Sequence, residues 1–335
     1  MRYMITGASG YIGSQLAQRL ASQGHQVHAL YHNPSKAHAL KNIPGIRPFH
    51  GDILHPESLR EAVLGCDGVF HLAAYTKPWH RNPNTYQRYN LEGALNVFHI
   101  ARAAGANRVV FTSTAGVINP SFGRPSIEDS PRTLDYFTEY ERTKAQAEDK
   151  AREFSKAGME IITVNPSRVY GPGLLSSGNG VTRMLSYYLK GRFRIIPGDG
   201  SSIGNYVYVE DVINGHIQAM HQGRPGERYI LGGDNISYND FFDLLSDVSG
   251  KHFRMFHVPF YLLHTAASLM ELRARLTGAE PLLTPPWVKK YLHDWELSSE
   301  KAERELEYAV TPLDLGMSKT LDWLKRGNHL ATITS

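Results

Sequence analysis

Residues 140–144 read YERTK. On a helix, Tyr140 and Lys144 stand one turn apart and share a face. A phenol beside an ammonium is a pair that can move a proton. The same spacing also occurs on ordinary solvated helix surface, and the run around it, TEYERTKAQAEDK, is polar. The pair alone leaves both readings open.

A second cluster stands at the N-terminus. A short apolar strand, RYMIT (2–6), runs straight into TGASGYIGSQLAQRL, with Gly7, Gly10 and Gly13 at a spacing of three and three. At a strand-to-helix turn, Gly7 allows the sharp bend, Gly10 lets backbone approach a pyrophosphate, and Gly13 lets the helix pack on the sheet. The N–H groups of the first helical turn, around Ser9, Tyr11 and Ile12, then face the phosphates. A tight turn with no ligand is the alternative. The order strand, glycines, helix favours a dinucleotide.

The end of the second strand separates the two nicotinamide cofactors. An acid there would bind the ribose 2′-OH of NAD, and a base would tolerate the 2′-phosphate of NADP. The strand ends at Tyr31, followed by His32, Asn33 and Lys36, with no acid in the run. That favours NADP(H), with NAD(H) also possible. Arg19 could reach over, though helix surface is its simpler role. Asp52, in HGDILHPESL, could accept from an adenine amino group or cap the turn into the helix near Glu57.

The elements that must position these residues alternate. Strands are expected at 2–6, 27–31, 46–50, 68–73, 108–113 and 160–166, with helices near 11–23, 57–64, 85–104 and 138–157. Strands alternating with helices mean crossovers and a parallel sheet covered on both faces. The fold class is α/β, a Rossmann-type doubly wound parallel sheet. After Pro172 the rhythm breaks at GPGLLSSGNG, and helices follow near 181–190, 211–221, 238–249, 260–276 and 313–326. The expected division is a dinucleotide-binding domain over 1–172, with catalytic groups at its C-terminal strand ends. A smaller, mostly helical substrate-binding region spans 173–335, with some strands and helices returning to the first domain.

Composition narrows the class. The chain has 335 residues, 41% hydrophobic and 20% charged, which is ordinary globular material. One cysteine, Cys66, leaves no internal disulfide and fits a reducing compartment. MRYMITGASGYIG is no signal peptide, so a cytoplasmic location is expected. The apolar run within 258–272 is shorter than the roughly 18 residues of a spanning helix. It reads as a buried or partner-facing helix, and membrane contact is not expected. The net charge of +4 comes without a dense basic stripe, so nucleic acid is not expected either. Residues 1–51 contain no Asp or Glu, and this positive end suits an anionic small molecule. The sixteen histidines form no ligand pair beside a carboxylate, so no metal is implied.

The segments TGASGYIG, GDIL (51–54), HLAA (71–74), YNLEGALNV (89–97), VVFTSTAGV (109–117), YERTK and NPSRVYGPG (165–173) resemble the extended short-chain dehydrogenase/reductases in order and spacing. Each motif is weak, but their order over nearly the whole chain is specific. The resemblance implies further cofactor contacts at Ile53, Leu72, Ala73, Ala74, Ser113, Pro166, Ser167 and Val169. It makes Tyr140 the general acid or base on a substrate oxygen. An ordinary tyrosine, with a pKa of about 10, is too weakly acidic to be a base near neutrality. The charges of Lys144 and of an oxidised nicotinamide would lower that pKa, and Lys144 would also hold the nicotinamide ribose. Thr114 falls at the place of the orienting hydroxyl, with Ser113 beside it, although either could merely cap the strand end. Asn90 matches the family's helix asparagine, or is a satisfied helix-interior amide.

Departures from the pattern choose among reactions. The resemblance places acids just after the hydroxyl in sugar-nucleotide dehydratases, where this chain has Ala115 and Gly116. It places an arginine at position 204 in nucleotide-sugar epimerases, where this chain has glycine, although Arg192 and Arg194 could substitute. TSTAGVINP, YILGGDNISYNDFFDLLS and the tail from 297 are similar to dihydroflavonol reductases and hydroxysteroid dehydrogenases. The implied reaction is hydride transfer between NADP(H) and a carbonyl or secondary alcohol on a mainly apolar small molecule, flavonoid-, steroid- or aldehyde/ketone-like. A nucleotide-sugar epimerase and a non-catalytic NAD(P)-sensing protein are the alternatives. Tyr136 and Phe137 are the expected substrate contacts, with Met184 and Tyr206 behind them. The resemblance also implies a homodimer through the helices near 85–104 and 138–157.

Overall fold

The computed structural model describes residues 1–35, 40 and 42–327. Seven strands form one sheet in the order β10-β6-β5-β4-β1-β2-β3. They are β1 (Arg2–Thr6), β2 (Gln26–Tyr31), β3 (Ile46–His50), β4 (Gly68–His71), β5 (Arg108–Thr112), β6 (Glu160–Pro166) and β10 (Arg228–Leu231). Every neighbouring pair is parallel. Successive residues face opposite sides. Tyr3 and Ile5 therefore join one core, with Leu16, Val164 and Val212, while Met4 joins the other, with Val69, Phe98 and Phe111.

Helices cover both faces. On one lie α1 (Tyr11–Ser22), α7 (Val209–Gln222) and α11 (Glu300–Leu306); on the other lie α2 (Arg60–Val63), α4 (Gly93–Ala103) and α5 (Glu139–Lys156). The short α3 (Asn84–Tyr86) runs through a π-helical stretch, Gln87–Glu92, into α4. The chain from position 209 onward thus returns to the first sheet with α7, β10 and α11. Arg19 of α1 is tied to α7 through Glu210 and the Asn214 side chain.

The remaining elements build the second region. A three-stranded sheet, β11-β9-β7, joins β7 (Arg168–Tyr170), β9 (Ile203–Tyr208) and β11 (Asp234–Ser237). β8 (Ile195–Pro197) pairs with β12 (Phe256–Val258). Around them stand α6 (Gly180–Leu189), α8 (Tyr238–Ser249) and α12 (Leu313–Lys325), with a core of Tyr170, Leu185, Tyr188, Phe241 and Met317. α9 (Phe260–Thr277) packs on α10 (Pro285–Tyr291). α9 buries only Ala267 and Ala274, and Leu269, Leu272 and Leu276 are exposed. Among the described residues no helix is long and apolar enough to cross a membrane. The strands from β7 onward, and α10 and α11, are elements that periodicity missed. All are three to seven residues long, too short for an apolar rhythm to show.

Candidate active site

In a parallel doubly wound sheet, ligands gather beyond the carboxyl ends of the strands. The chain places most of its candidate residues there. The turn from β1 to α1 holds Gly7, Ser9, Gly10, Tyr11, Ile12 and Gly13. Gly7 has φ +71°, and a Cβ on it would come within 2.8 Å of the Ala73 nitrogen. A Cβ on Gly13 would lie 2.3 Å from the Gly7 carbonyl oxygen. Only glycine fits either place. Gly10 is the N-cap of α1, and no side chain caps that helix end. The first-turn N–H groups are therefore left for a ligand, as an anion site requires. The Tyr11 ring is buried, and its hydroxyl donates to the Gly171 carbonyl at 3.0 Å. Its side chain thus fastens the turn to the loop after β7. Ile12 is half-buried against the same core.

Tyr31 ends β2 and His32 follows it, and Lys36 lies outside the described residues. Asp52 Oδ1 accepts from the Leu54 N–H at 2.9 Å, so the turn-capping role exists. Its Oδ2 lies 3.5 Å from His32 Nδ1. An acid that is distant in sequence therefore stands beside the β2 end. Ile53 is buried beneath Gly93, whose added Cβ would meet it at 2.6 Å. Leu72, Ala73 and Ala74 follow β4, and the Ala73 N–H donates to the Thr6 hydroxyl at 3.2 Å. Pro166 ends β6, Ser167 follows it, and half-buried Val169 sits in β7 against the first core.

The proton-transfer group assembles at the end of β5. A capping box starts α5. The Glu141 N–H donates to Thr138 Oγ1 at 3.2 Å, and the Thr138 N–H donates to Glu141 Oε2 at 3.3 Å. This places Tyr140 in the first helical turn and Lys144 one turn on. Thr114 follows β5. Its Oγ1 accepts from the Gly116 N–H at 3.2 Å, which is the capping role, and it also faces the Tyr140 phenol. Burial pushes the half-buried Tyr140 up to about 12; the hydrogen bond with Thr114 opposes the rise, and the Glu141 charge adds to it. The depression that the Lys144 spacing implied is therefore not what this arrangement produces. Lys144 is itself buried and lies over the Phe111 ring, with Nζ 4.1 Å from the centroid. Burial pushes its ammonium down to about 7, against the supporting charge of Glu148.

Asn90 sits within the π-helical stretch, the kind of local irregularity found at functional sites. It touches neither Tyr140 nor Lys144 by any hydrogen bond. Its Oδ1 accepts from the Tyr75 N–H at 2.8 Å, and its Nδ2 donates to the Tyr75 carbonyl at 3.3 Å and to the Thr143 hydroxyl at 3.1 Å. Thr143 in turn donates to the Glu139 carbonyl at 2.7 Å, one residue before Tyr140. Asn90 is a satisfied amide that joins the loop after β4 to the catalytic helix, a positioning role.

Five polar residues complete the site that motif reading did not single out. Glu148, one turn beyond Lys144, is buried and accepts from Asn165 Nδ2 at 2.7 Å and from Arg228 Nη1 at 3.2 Å. The same Asn165 Nδ2 donates to the Thr114 carbonyl at 3.1 Å, so β6 holds Thr114 from behind. Glu141 Oε1 pairs with Lys290 of α10 at 2.7 Å. A Cβ on Gly116 would come within 3.0 Å of that carboxylate and 3.1 Å of that ammonium. The place after the hydroxyl thus holds an ion pair from two other elements. The spacing of Glu148 from Lys144 was readable; the other partners come from distant chain.

The expected substrate residues divide. Tyr136 lies under the Arg132 guanidinium, 4.1 Å from it to the ring centroid, and Phe137 packs beside His293 and Trp295. Met184 is half-buried in the second core. Tyr206 is buried, stacked on Phe241 at 4.5 Å, with its hydroxyl accepting from Arg168 at 3.1 Å.

A nicotinamide dinucleotide fits these residues. The uncapped α1 terminus can take the pyrophosphate. The Ser113 and Ser167 hydroxyls are buried without a partner at the carboxyl ends of β5 and β6, where bound polar groups would satisfy them. The bound group supplies or accepts the hydride. Lys144, Ser113 and Ser167 would hold its ribose end, while Tyr140 and Thr114 would hold and move the proton at the substrate oxygen.

Comparison with known proteins gives the same answer for the class. The model of the NAD dependent epimerase/dehydratase family matches residues 3–232. A 2-alkyl-3-oxoalkanoate reductase of Stenotrophomonas maltophilia is 31% identical, over 92% of this chain and 94% of that protein. Short-chain dehydrogenase/reductase family 42E member 1 of Homo sapiens is 30% identical, over 97% and 88%. A UDP-glucose 4-epimerase structure from Thermotoga maritima superposes with a TM-score of 0.80 at 23% identity, covering 98% of this chain and 99% of that one. At that identity the likeness is one of fold.

Proposed function

The chain belongs to the NAD dependent epimerase/dehydratase family, and on that premise we propose that it is an NADP(H)-preferring reductase of a carbonyl group on a mainly apolar small molecule. That it is an NAD(P)-dependent oxidoreductase follows from its reductase and dehydrogenase relatives. The reading rests on one observation, the Tyr140 phenol placed beside the Thr114 hydroxyl at the end of β5. Burial raises the phenol above its ordinary value, so like any tyrosine it stays protonated near neutrality. A protonated phenol is poised to donate to an oxygen gaining negative charge, which is the demand of carbonyl reduction. Thr114 orients that oxygen, and the Lys144 charge favours the tyrosinate left behind.

The NADP preference rests on the run Tyr31, His32, Asn33, in which no acid faces a 2′-phosphate. Asp52 beside His32 tempers it, because a carboxylate at that distance opposes a phosphate unless the imidazole is charged. The apolar substrate class draws support from the relative that reduces 2-alkyl-3-oxoalkanoates. The homodimer through α4 and α5 belongs to the same proposal. The outer face of α5 carries the pairs Glu139–Arg142 and Lys150–Glu153, so such a seam would be polar.

The test is a side-by-side titration with NADPH and NADH, read by nicotinamide fluorescence. NADPH should bind at least about tenfold tighter, a difference of about 1.4 kcal/mol. Tighter NADH, or NAD that copurifies and does not exchange, would replace this reading with the epimerase one. Light scattering that finds a monomer at micromolar concentration removes the dimer.

A further inference from the structure

Arg168, in β7, carries a charge that the protein leaves without a counter-ion. Its Nη1 donates to the Tyr206 hydroxyl at 3.1 Å, and its guanidinium lies over the rings of Tyr206 and Tyr238, 5.3 and 5.4 Å from their centroids. Tyr291 of α10 completes the ring of phenols, 6.2 Å from Tyr238 between centroids. Among the described residues no carboxylate pairs with Arg168, whereas the half-buried Lys290 and Arg228 each have one. Removing an arginine from water without a partner is costly, and buried charges are normally paired. In the same cage the Tyr238 hydroxyl is buried, in a residue only 8% exposed, with no hydrogen-bond partner.

The backbone is shaped to admit this side chain. A Cβ on Gly204, across the β7–β9 pair, would lie 2.3 Å from Arg168 Nη1. The glycine read as a missing anchor therefore makes the space that an arginine from the neighbouring strand fills. The cage also adjoins the proton-transfer group. Three residues before Arg168, Asn165 donates to the Thr114 carbonyl at 3.1 Å. One residue before Tyr291, Lys290 pairs with Glu141, the neighbour of Tyr140.

We propose that Arg168, with Tyr206 and Tyr238, is the anchor for a carboxylate on the substrate, so that the preferred substrate is an apolar carbonyl compound bearing an acid group. This rests on the reductase reading above and narrows its substrate class. A guanidinium fork matches a carboxylate with two parallel hydrogen bonds, and the free Tyr238 hydroxyl supplies a third donor. The cage holds one cation, which balances a carboxylate monoanion and leaves a phosphate dianion half neutralised. The apolar remainder of the substrate would lie over the aromatic walls.

The experiment is calorimetric titration of the NADP-saturated protein with decanoate, 1-decanol and inorganic phosphate. Decanoate should bind on the order of 10- to 100-fold tighter than decanol, the range of charge-assisted hydrogen bonds. Arg168→Leu should abolish that ratio and leave decanol and NADPH binding as they were. Arg168→Lys should keep part of it. Gly204→Ala, which displaces the guanidinium without removing it, should lower the ratio as Arg168→Leu does, and covers the case where the leucine variant does not fold. Equal binding of acid and alcohol by the wild type overturns the proposal. So does a ratio untouched by Arg168→Leu, or phosphate binding tighter than decanoate. Because none of these readings needs turnover, a protein that binds decanoate through Arg168 but reduces nothing would refute the reductase reading alone.

Discussion

The Lys144 ammonium lies over the Phe111 ring, its Nζ 4.1 Å from the centroid, and this contact joins α5 to β5, the strand that leads into Thr114. It also explains a chain of shifts. His71 stacks on Phe111 at 5.6 Å and is bonded through Nδ1 to the Thr6 hydroxyl at 2.7 Å. Burial, reinforced by Lys144, pushes His71 down to about 3. The amine and the imidazole thus sit within one buried stack beneath the site.

The stack has a stability signature. Burial pushes Lys144 down to about 7 in the folded chain, from about 10.4 when unfolded. Between those values the unfolded chain binds more protons, so stability rises with pH across that window. Below it the full cost of charging the buried amine is present. Lys144→Met should therefore melt higher than wild type at pH 6, by up to a few kcal/mol, with the gap closing toward pH 10. Thermal melts of both proteins over that range check it. A gap that is constant with pH would show that Lys144 is not the titrating group.

Tyr140→Phe removes the proposed proton donor and keeps the ring. Turnover should fall by roughly 10²- to 10⁴-fold, the usual contribution of a positioned acid. NADPH affinity and melting temperature should hold. Steady-state kinetics on any reduced carbonyl substrate, together with the fluorescence titration, separate these effects. Unchanged turnover would falsify the assignment of Tyr140.

Two glycines of the turn should fail differently. Gly7→Ala forces an L-residue into φ +71° and against the Ala73 backbone, which should cost about 2 kcal/mol or more of stability. A Cβ on Gly10 meets only the Gly7 carbonyl oxygen, at 3.1 Å. Gly10→Ala should fold nearly normally yet bind NADPH weaker by on the order of tenfold, because the methyl group stands where the pyrophosphate approaches. Melting and titration of both variants distinguish folding from binding.

The Glu141–Lys290 pair is nearly dry, with side chains 1% and 13% exposed. Lys290→Met would strand the carboxylate and should destabilise by about 3 kcal/mol, the lower end for a broken buried pair. Adding Glu141→Gln, which keeps an acceptor for the Phe137 and Thr138 N–H groups, should recover much of the loss. A double-mutant cycle by chemical denaturation reads the coupling, and additive losses would rule the pair out.

What the linear chain determined here is whatever depends on neighbours within a turn or two. The glycine turn after β1, the spacing that sets Tyr140 one helical turn before Lys144, and the strand–helix alternation that makes the sheet parallel are all local, and each was legible. Short segments escaped. β9 and β10 are six and four residues long, and an apolar run of that length carries no period that distinguishes it from a core fragment.

Tertiary structure alone decided the electrostatics. Asp52 came to stand beside His32, Lys290 beside Glu141, and Asn165 behind Thr114, across separations of 20, 149 and 51 residues. Burial and not the helical neighbour decided Tyr140, which rose where its spacing from Lys144 implied a fall. At position 204 the residue type was plain, but its meaning was not. A missing side chain on one strand became the seat of Arg168 on the next, because pairing β7 with β9 places Arg168 opposite Tyr206, and only the folded sheet brings them together.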